Sequence, residues 1–114
     1  MKYMLLIYTP HDSRPTTPQE RAATMPAWEA YGAELRRRKA YIDAAPLAET
    51  TSATTVRAHD GKRTVTDGPF AETKEWLGGY YIIDCASLDA AIEAAAMCPA
   101  AKYGSIEVRP LVEM

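Results

Sequence analysis

YMLLIY, residues 3–8, is apolar at odd and even positions alike. A strand with one wet face alternates between apolar and polar residues, because successive side chains point to opposite sides of a sheet. A strand without alternation belongs in the middle of a sheet that is covered on both sides. YYIIDC, residues 80–85, is the second segment of this kind. These two stretches predict two central strands, and the rest of the chain is read around them.

After the first strand, Pro10 to Pro18 is rich in Pro, Ser and Thr and reads as a loop. Thr17-Pro18-Gln19-Glu20 then signals a helix start, with Thr17 as N-cap, Pro18 in the first turn and Glu20 third after the cap. Pro26 is expected to break or kink that helix. Beyond it, Trp28, Tyr31, Gly32 and Leu35 form one stripe, while Glu29, Glu34, Arg37 and Arg38 point the other way, with Glu34 able to pair with Arg38. Tyr41 to Leu47, closed by Pro46, is a weaker strand. Thr54 to Ala58 and Arg63 to Thr66 flank Asp60-Gly61, a two-residue link that predicts a hairpin because both turn positions need positive φ. Asp67-Gly68-Pro69-Phe70 is a turn, and Phe70 to Trp76 is expected to be a short helix stopped by Gly78-Gly79. Ser87 caps the next helix, whose expected buried stripe is Leu88, Ala91, Ile92 and Ala95, and Cys98-Pro99 ends it. In the last strand, Ser105 to Val112, Ile106, Val108 and Val112 alternate with Glu107 and Arg109. Pro110 cannot donate to a ladder and places this strand at an edge.

The order is β-α-β, an inserted hairpin, a short helix, then β-α-β. This is an α+β chain of the ferredoxin-like split βαβ kind, in which the first and third main strands are central. Both helices cover one face of such a sheet. The other face needs a cover as well, and a second copy packed sheet to sheet is the simplest one.

The bulk numbers bound the function. At 114 residues the chain has the size of one domain, and 47% hydrophobic content is normal for a folded one. A formal net charge of -2 argues against a broad nucleic-acid surface. The one basic run, Arg36 to Lys39, suits the negative end of a helix dipole. The opening MKYMLLIY is too short for a secretory signal or a membrane span, and Cys85 and Cys98 match no metal spacing. The expectation is reduced thiols in a cytoplasm, with no membrane partner.

TDGPFAETKEWLGGYYIID, from Thr66 to Asp84, resembles the signature of the DGPF branch of the YCII-related family. The opening MKYMLLIY, TTVR at Thr54 to Arg57 and the closing CPAAKYGSIEVRPLVEM resemble the same family, so the likeness runs nearly end to end as one domain over 1–114. The resemblance implies a homodimeric α+β barrel, two sheets facing each other with a cleft between them. It also implies a context near extracytoplasmic-function sigma factors, and hence a sigma-factor-related partner. Smaller relatives carry a His, at the start of the first helix, and an Asp proposed as a catalytic pair. Here that helix has no His, and position 76, often Gln in the motif, is Trp76.

The residues that bear on chemistry each have two readings. Asp67 suits the cap of the short helix expected after it, or a general base; Phe70 suits a core plug beneath the turn; and Asp67, Phe70 and Lys74 are also candidates for lining a ligand pocket. Glu72, Lys74 and Glu75 are a solvated face or, if buried, a proton-transfer group. Trp76 and Leu77 suit the buried side of the same helix. Tyr80 and Tyr81 point to opposite faces, as do Tyr3 and Tyr8, so some of these hydroxyls with Arg109 could line a cleft for a small anionic or aromatic ligand. Their alternative is interface packing. His11 and His59 stand in polar loops without partners at metal spacing, and no phosphate loop, cofactor motif or metal site is apparent. Three functions stay open: a small-molecule binder or sensor, an enzyme using Asp67 or Glu72 as base, and a protein-interaction module acting through the hairpin.

Overall fold

The structure, a computed structural model, describes residues 1–13, 15 and 17–114; of the loop expected over 10–18, positions 14 and 16 lie outside the described residues. In chain order the elements are β1 (Lys2–Pro10), α1 (Pro18–Arg37), β2 (Tyr41–Pro46), β3 (Thr54–His59), β4 (Lys62–Asp67), β5 (Glu75–Asp84), α2 (Leu88–Ala96) and β6 (Ser105–Pro110). Four strands form one antiparallel sheet in the order β2-β5-β1-β6, and β3 and β4 pair separately. The two strands without alternation, β1 and β5, take the central places, and β6 with its Pro110 takes an edge.

The start of α1 is as read: the Thr17 hydroxyl accepts from the Glu20 N–H at 3.1 Å. Tyr31, Gly32 and Leu35 are buried and Trp28 is half-buried, so the stripe faces the sheet. Pro26 does not break the helix, which continues through it. Pro26 and Ala22, whose carbonyl loses its helical donor, are both exposed, so water can serve the freed acceptor. The helix ends with Lys39 at φ 58°, and the Ala40 N–H reaches back to the Leu35 carbonyl at 2.9 Å. The three arginines of the basic run are committed within the chain. Arg37 and Arg38 both donate to Glu34, Arg38 also reaches Glu93 at 3.3 Å, and Arg36 lies 4.1 Å over the Tyr41 ring. Hydrogen bonds from Arg37 and Arg38 hold the half-buried Glu34 carboxyl down at about 2.

The second helix is turned relative to the expected stripe. Ala91, Ala94 and Ala95 are buried, whereas Leu88 and Ile92 are half exposed. Methyl side chains let the α2 axis approach its neighbours closely, and the larger residues are left on the outside. Ala94 lies in the last turn, and the Cys98 N–H that would serve its carbonyl in a longer helix bonds Ala95 instead, at 3.1 Å. The Tyr31 hydroxyl takes that role, donating to the Ala94 carbonyl at 2.8 Å and tying α1 to α2. Burial pushes this phenol well above its usual range. Tyr31→Phe leaves the carbonyl buried without that donor. Urea unfolding is expected to show a loss of about 1–3 kcal/mol.

The segment after the hairpin departs most from expectation. No helix forms over Phe70 to Trp76: residues 68–74 are turns and irregular backbone, and β5 begins at Glu75 and carries Gly78 and Gly79 within it. Extended, Glu75 and Trp76 pair with Pro10 and Thr9 of β1 and open the strand that meets β2 further on, while a helix of seven residues offers few bonds for its nucleation cost. Asp67 therefore ends β4 and has no helix to cap. Phe70 is 80% exposed, not a core plug, and Trp76 and Leu77 lie on opposite faces of β5, not on one side of a helix. Gly79 sits where a Cβ would come 3.0 Å from the Ala45 carbonyl oxygen.

The hairpin turns at Asp60 and Gly61, with φ 54° and 76°, as the two-residue link demands. At its base the Gly68 N–H donates to the Ala53 carbonyl at 2.6 Å and the Thr55 hydroxyl to the Gly68 carbonyl at 2.7 Å. Val56 and Val65, paired across the strands, are 60% and 59% exposed. The radius of gyration is 16.0 Å, against about 13 Å for a compact domain of about 100 residues, as a projecting arm requires.

The core lies between the helices and one face of the sheet. Tyr3, Leu5, Leu35, Ile83 and Cys98 are fully buried there, and Ile106 and Val108 of the edge strand pack against them.

Candidate functional site

Strand register sorts the candidate residues between two faces. Met4, Leu6 and Tyr8 of β1 pair with Ile82, Tyr80 and Leu77 of β5, and all six side chains are on the face away from the helices. All six residues are half-buried in the single chain. On β6, Arg109 stands opposite Met4 and Glu107 opposite Leu6, on the same face. The Arg109 Nε donates to Glu107 at 3.0 Å, and this bond, with a weaker contribution from Tyr8, holds the guanidinium above its ordinary value. The face is thus an apolar field bordered by charge, with the Arg109–Glu107 pair on the β6 edge and Asp43, opposite Ile82, on the β2 edge.

Of the residues singled out in the sequence, Tyr8, Tyr80 and Arg109 share this face. Tyr81 is on the opposite one. Asp67 closes the hairpin, and Phe70, Glu72 and Lys74 are exposed in the turns leading to β5. The sequence-based set is therefore divided among three places. His11 packs on Trp76 with ring centroids 4.1 Å apart, and His59 ends β3 beside the turn. Among the described residues no group of three His, Cys, Asp or Glu is placed to hold a metal ion.

A second place was not visible in the sequence. Beneath α1, against the helix side of the sheet, is a cavity of about 400 Å³. Ile7 and Thr9 of β1, Gly79 and Tyr81 of β5, and Trp28 and Met25 of α1 are among its walls. The Trp28 and Tyr81 rings are nearly parallel, 13° apart in plane with centroids 6.2 Å apart, and Tyr31 and Tyr41 meet Tyr81 edge-on. Burial, and then the neighbouring Cys98, push the Tyr81 phenol up. Thr9 continues the inward series Tyr3, Leu5, Ile7 and is only 6% exposed. Its hydroxyl has no hydrogen-bond partner among the described residues. The signal in the sequence was this one polar residue at an inward position of a central strand.

A four-stranded antiparallel sheet carrying two helices on one face, with an apolar opposite face and an inserted hairpin, defines a small α+β domain. The chain belongs to the YCII-related family, whose domain model matches residues 1–114. It is also similar to an uncharacterized protein of Rhizobium meliloti (strain 1021), 55% identical over 69 residues, which is 59% of this chain and 56% of that protein. The chain thus spans little more than half the length of the curated relative it matches. Among the described residues no helix is long and apolar enough to cross a membrane.

Proposed function

We propose that this chain is a small-molecule-binding domain of the DGPF branch that works as a homodimer, its two sheets facing each other across a cleft. The observation that carries the reading is the helix-free face of the sheet. Met4, Leu6, Tyr8, Leu77, Tyr80 and Ile82 form a continuous apolar field across the two central strands. A field of this kind is costly to leave in water, and a second copy supplies a matching surface. Tyr8, Tyr80 and Arg109 then border the cleft. Because Arg109 is already paired with Glu107, the cleft suits a neutral ligand better than an anion.

The enzyme reading has less support: Asp67 and Glu72 are not among the described residues lining the cavity beneath α1, and Asp67 belongs to the separate β3–β4 pair, not to the sheet of Tyr8 and Arg109. The exposed Val56, Val65 and Phe70 favour one secondary role, the docking of a partner protein such as a sigma factor on the arm. Native mass spectrometry of freshly purified protein tests the main reading. The expected result is twice the mass of the chain, with a small mass released on denaturation. A monomer at micromolar concentration would overturn the dimer, and a dimer that binds none of a metabolite library would overturn the cleft.

A further inference from the structure

We propose that the cavity beneath α1 is a binding site for a small uncharged aromatic molecule bearing one oxygen, distinct from the inter-subunit cleft. Its volume, about 400 Å³, is in the range of small-molecule sites. Its walls are apolar and aromatic, with the faces of Trp28 and Tyr81 nearly parallel. A planar ligand gains most from such surfaces, through offset stacking and burial. Gly79 and Ala44 leave space on the sheet side where larger residues would fill it.

The polar demand of the site is small and specific. Thr9 is one of its lining residues, more than nine-tenths buried, and its hydroxyl is unpartnered among the described residues. A buried hydroxyl left without a partner is destabilising, and one ligand oxygen satisfies it. Among the described lining residues the only charged one is Arg21, which takes part in an interaction of its own. An uncharged ligand is therefore the better match: a carbonyl oxygen accepts from Thr9 while the ring lies against Trp28 and Tyr81.

The test is calorimetric titration of the full chain with 1-indanone and with indane, the same bicycle without the oxygen. Saturable 1-indanone binding is expected, about tenfold tighter than indane, which is what one neutral hydrogen bond supplies. Thr9→Val keeps the shape and should abolish the preference, leaving the two ligands equal. Trp28→Ala should weaken both about tenfold, whereas Leu6→Glu, on the other face of the sheet, should leave both unchanged. Absence of saturable 1-indanone binding overturns the proposal. So does a preference that survives Thr9→Val, as when a water serves the hydroxyl. Loss of binding with Leu6→Glu but not with Trp28→Ala would assign the ligand to the inter-subunit cleft instead. The proposal does not depend on the dimer, since the described lining residues all belong to one chain.

Discussion

Replacing Gly104 with alanine is expected to destabilise the fold by about 3 kcal/mol or more, enough to unfold a domain of ordinary stability partly or fully. A Cβ at this position would lie 2.2 Å from the Tyr8 carbonyl oxygen and 3.2 Å from both the Cα and the Cγ2 of Thr9. The nearest of these atoms belong to the backbone of the central strand and cannot swing aside as a flexible side chain would. The glycine is also held from its own side, since its N–H donates to the Ala100 carbonyl at 2.7 Å. Relief requires the start of β6 to move away from β1, where Ser105 pairs with Tyr8, and the ladder would open there. Urea unfolding followed by circular dichroism measures the cost, with Lys102→Ala in the same loop as a control expected to stay within about 0.5 kcal/mol. A Gly104→Ala chain as stable as the parent would mean that this close approach is not maintained in solution.

Leu6→Glu is expected to weaken self-association about a thousandfold or more while leaving the monomer folded. Leu6 is near the middle of the helix-free face, between Tyr80 and Glu107 in the register. If two copies meet on this face, the substitution places a carboxylate from each near the centre of an apolar contact. A buried charge without a partner costs several kcal/mol, and about 4 kcal/mol is a thousandfold in dissociation constant. The side chain points away from the helices, so the core of Tyr3, Leu5 and Leu35 on the other side is not disturbed. Sedimentation velocity over a concentration series separates the two effects. A monomer with unchanged far-ultraviolet circular dichroism is the expected result. A Leu6→Glu protein that remains a tight dimer would place the interface elsewhere.

What the sequence revealed and what it hid follow from the range of the interactions involved. The central strands were legible because two-sided burial leaves a local mark, the missing alternation in residues 3–8 and 80–85. The Thr17 and Ser87 caps and the Asp60-Gly61 turn were legible because each is settled within a few residues. The stretch from Phe70 to Trp76 was not legible because its end, Glu75 and Trp76, is drawn into a strand by pairing with distant β1. The orientation of α2 was misread for a related reason: how closely a helix packs decides whether its alanines or its larger residues face inward. Alternation separated Tyr80 from Tyr81 correctly, but which of the two faced the helices needed the register with Leu5 and Leu6. The cavity beneath α1 was hidden because its described walls come from segments far apart in the chain, including Trp28, Thr9 and Tyr103.

The two outer strands of the sheet also limit how copies of the chain can add to one another. β2 finishes at Pro46 and β6 at Pro110, and β6 exposes the paired Glu107 and Arg109. A proline has no N–H to offer a new strand, and charges along an edge resist the flat pairing that a growing ribbon needs. Lateral polymerisation along the hydrogen-bonding direction is therefore disfavoured at both margins. Stacking is limited in a different way, because one face of the sheet carries α1 and α2 and only the other is open. A stack built on that single face is complete once a second sheet has closed it, so stacking there would end at two sheets.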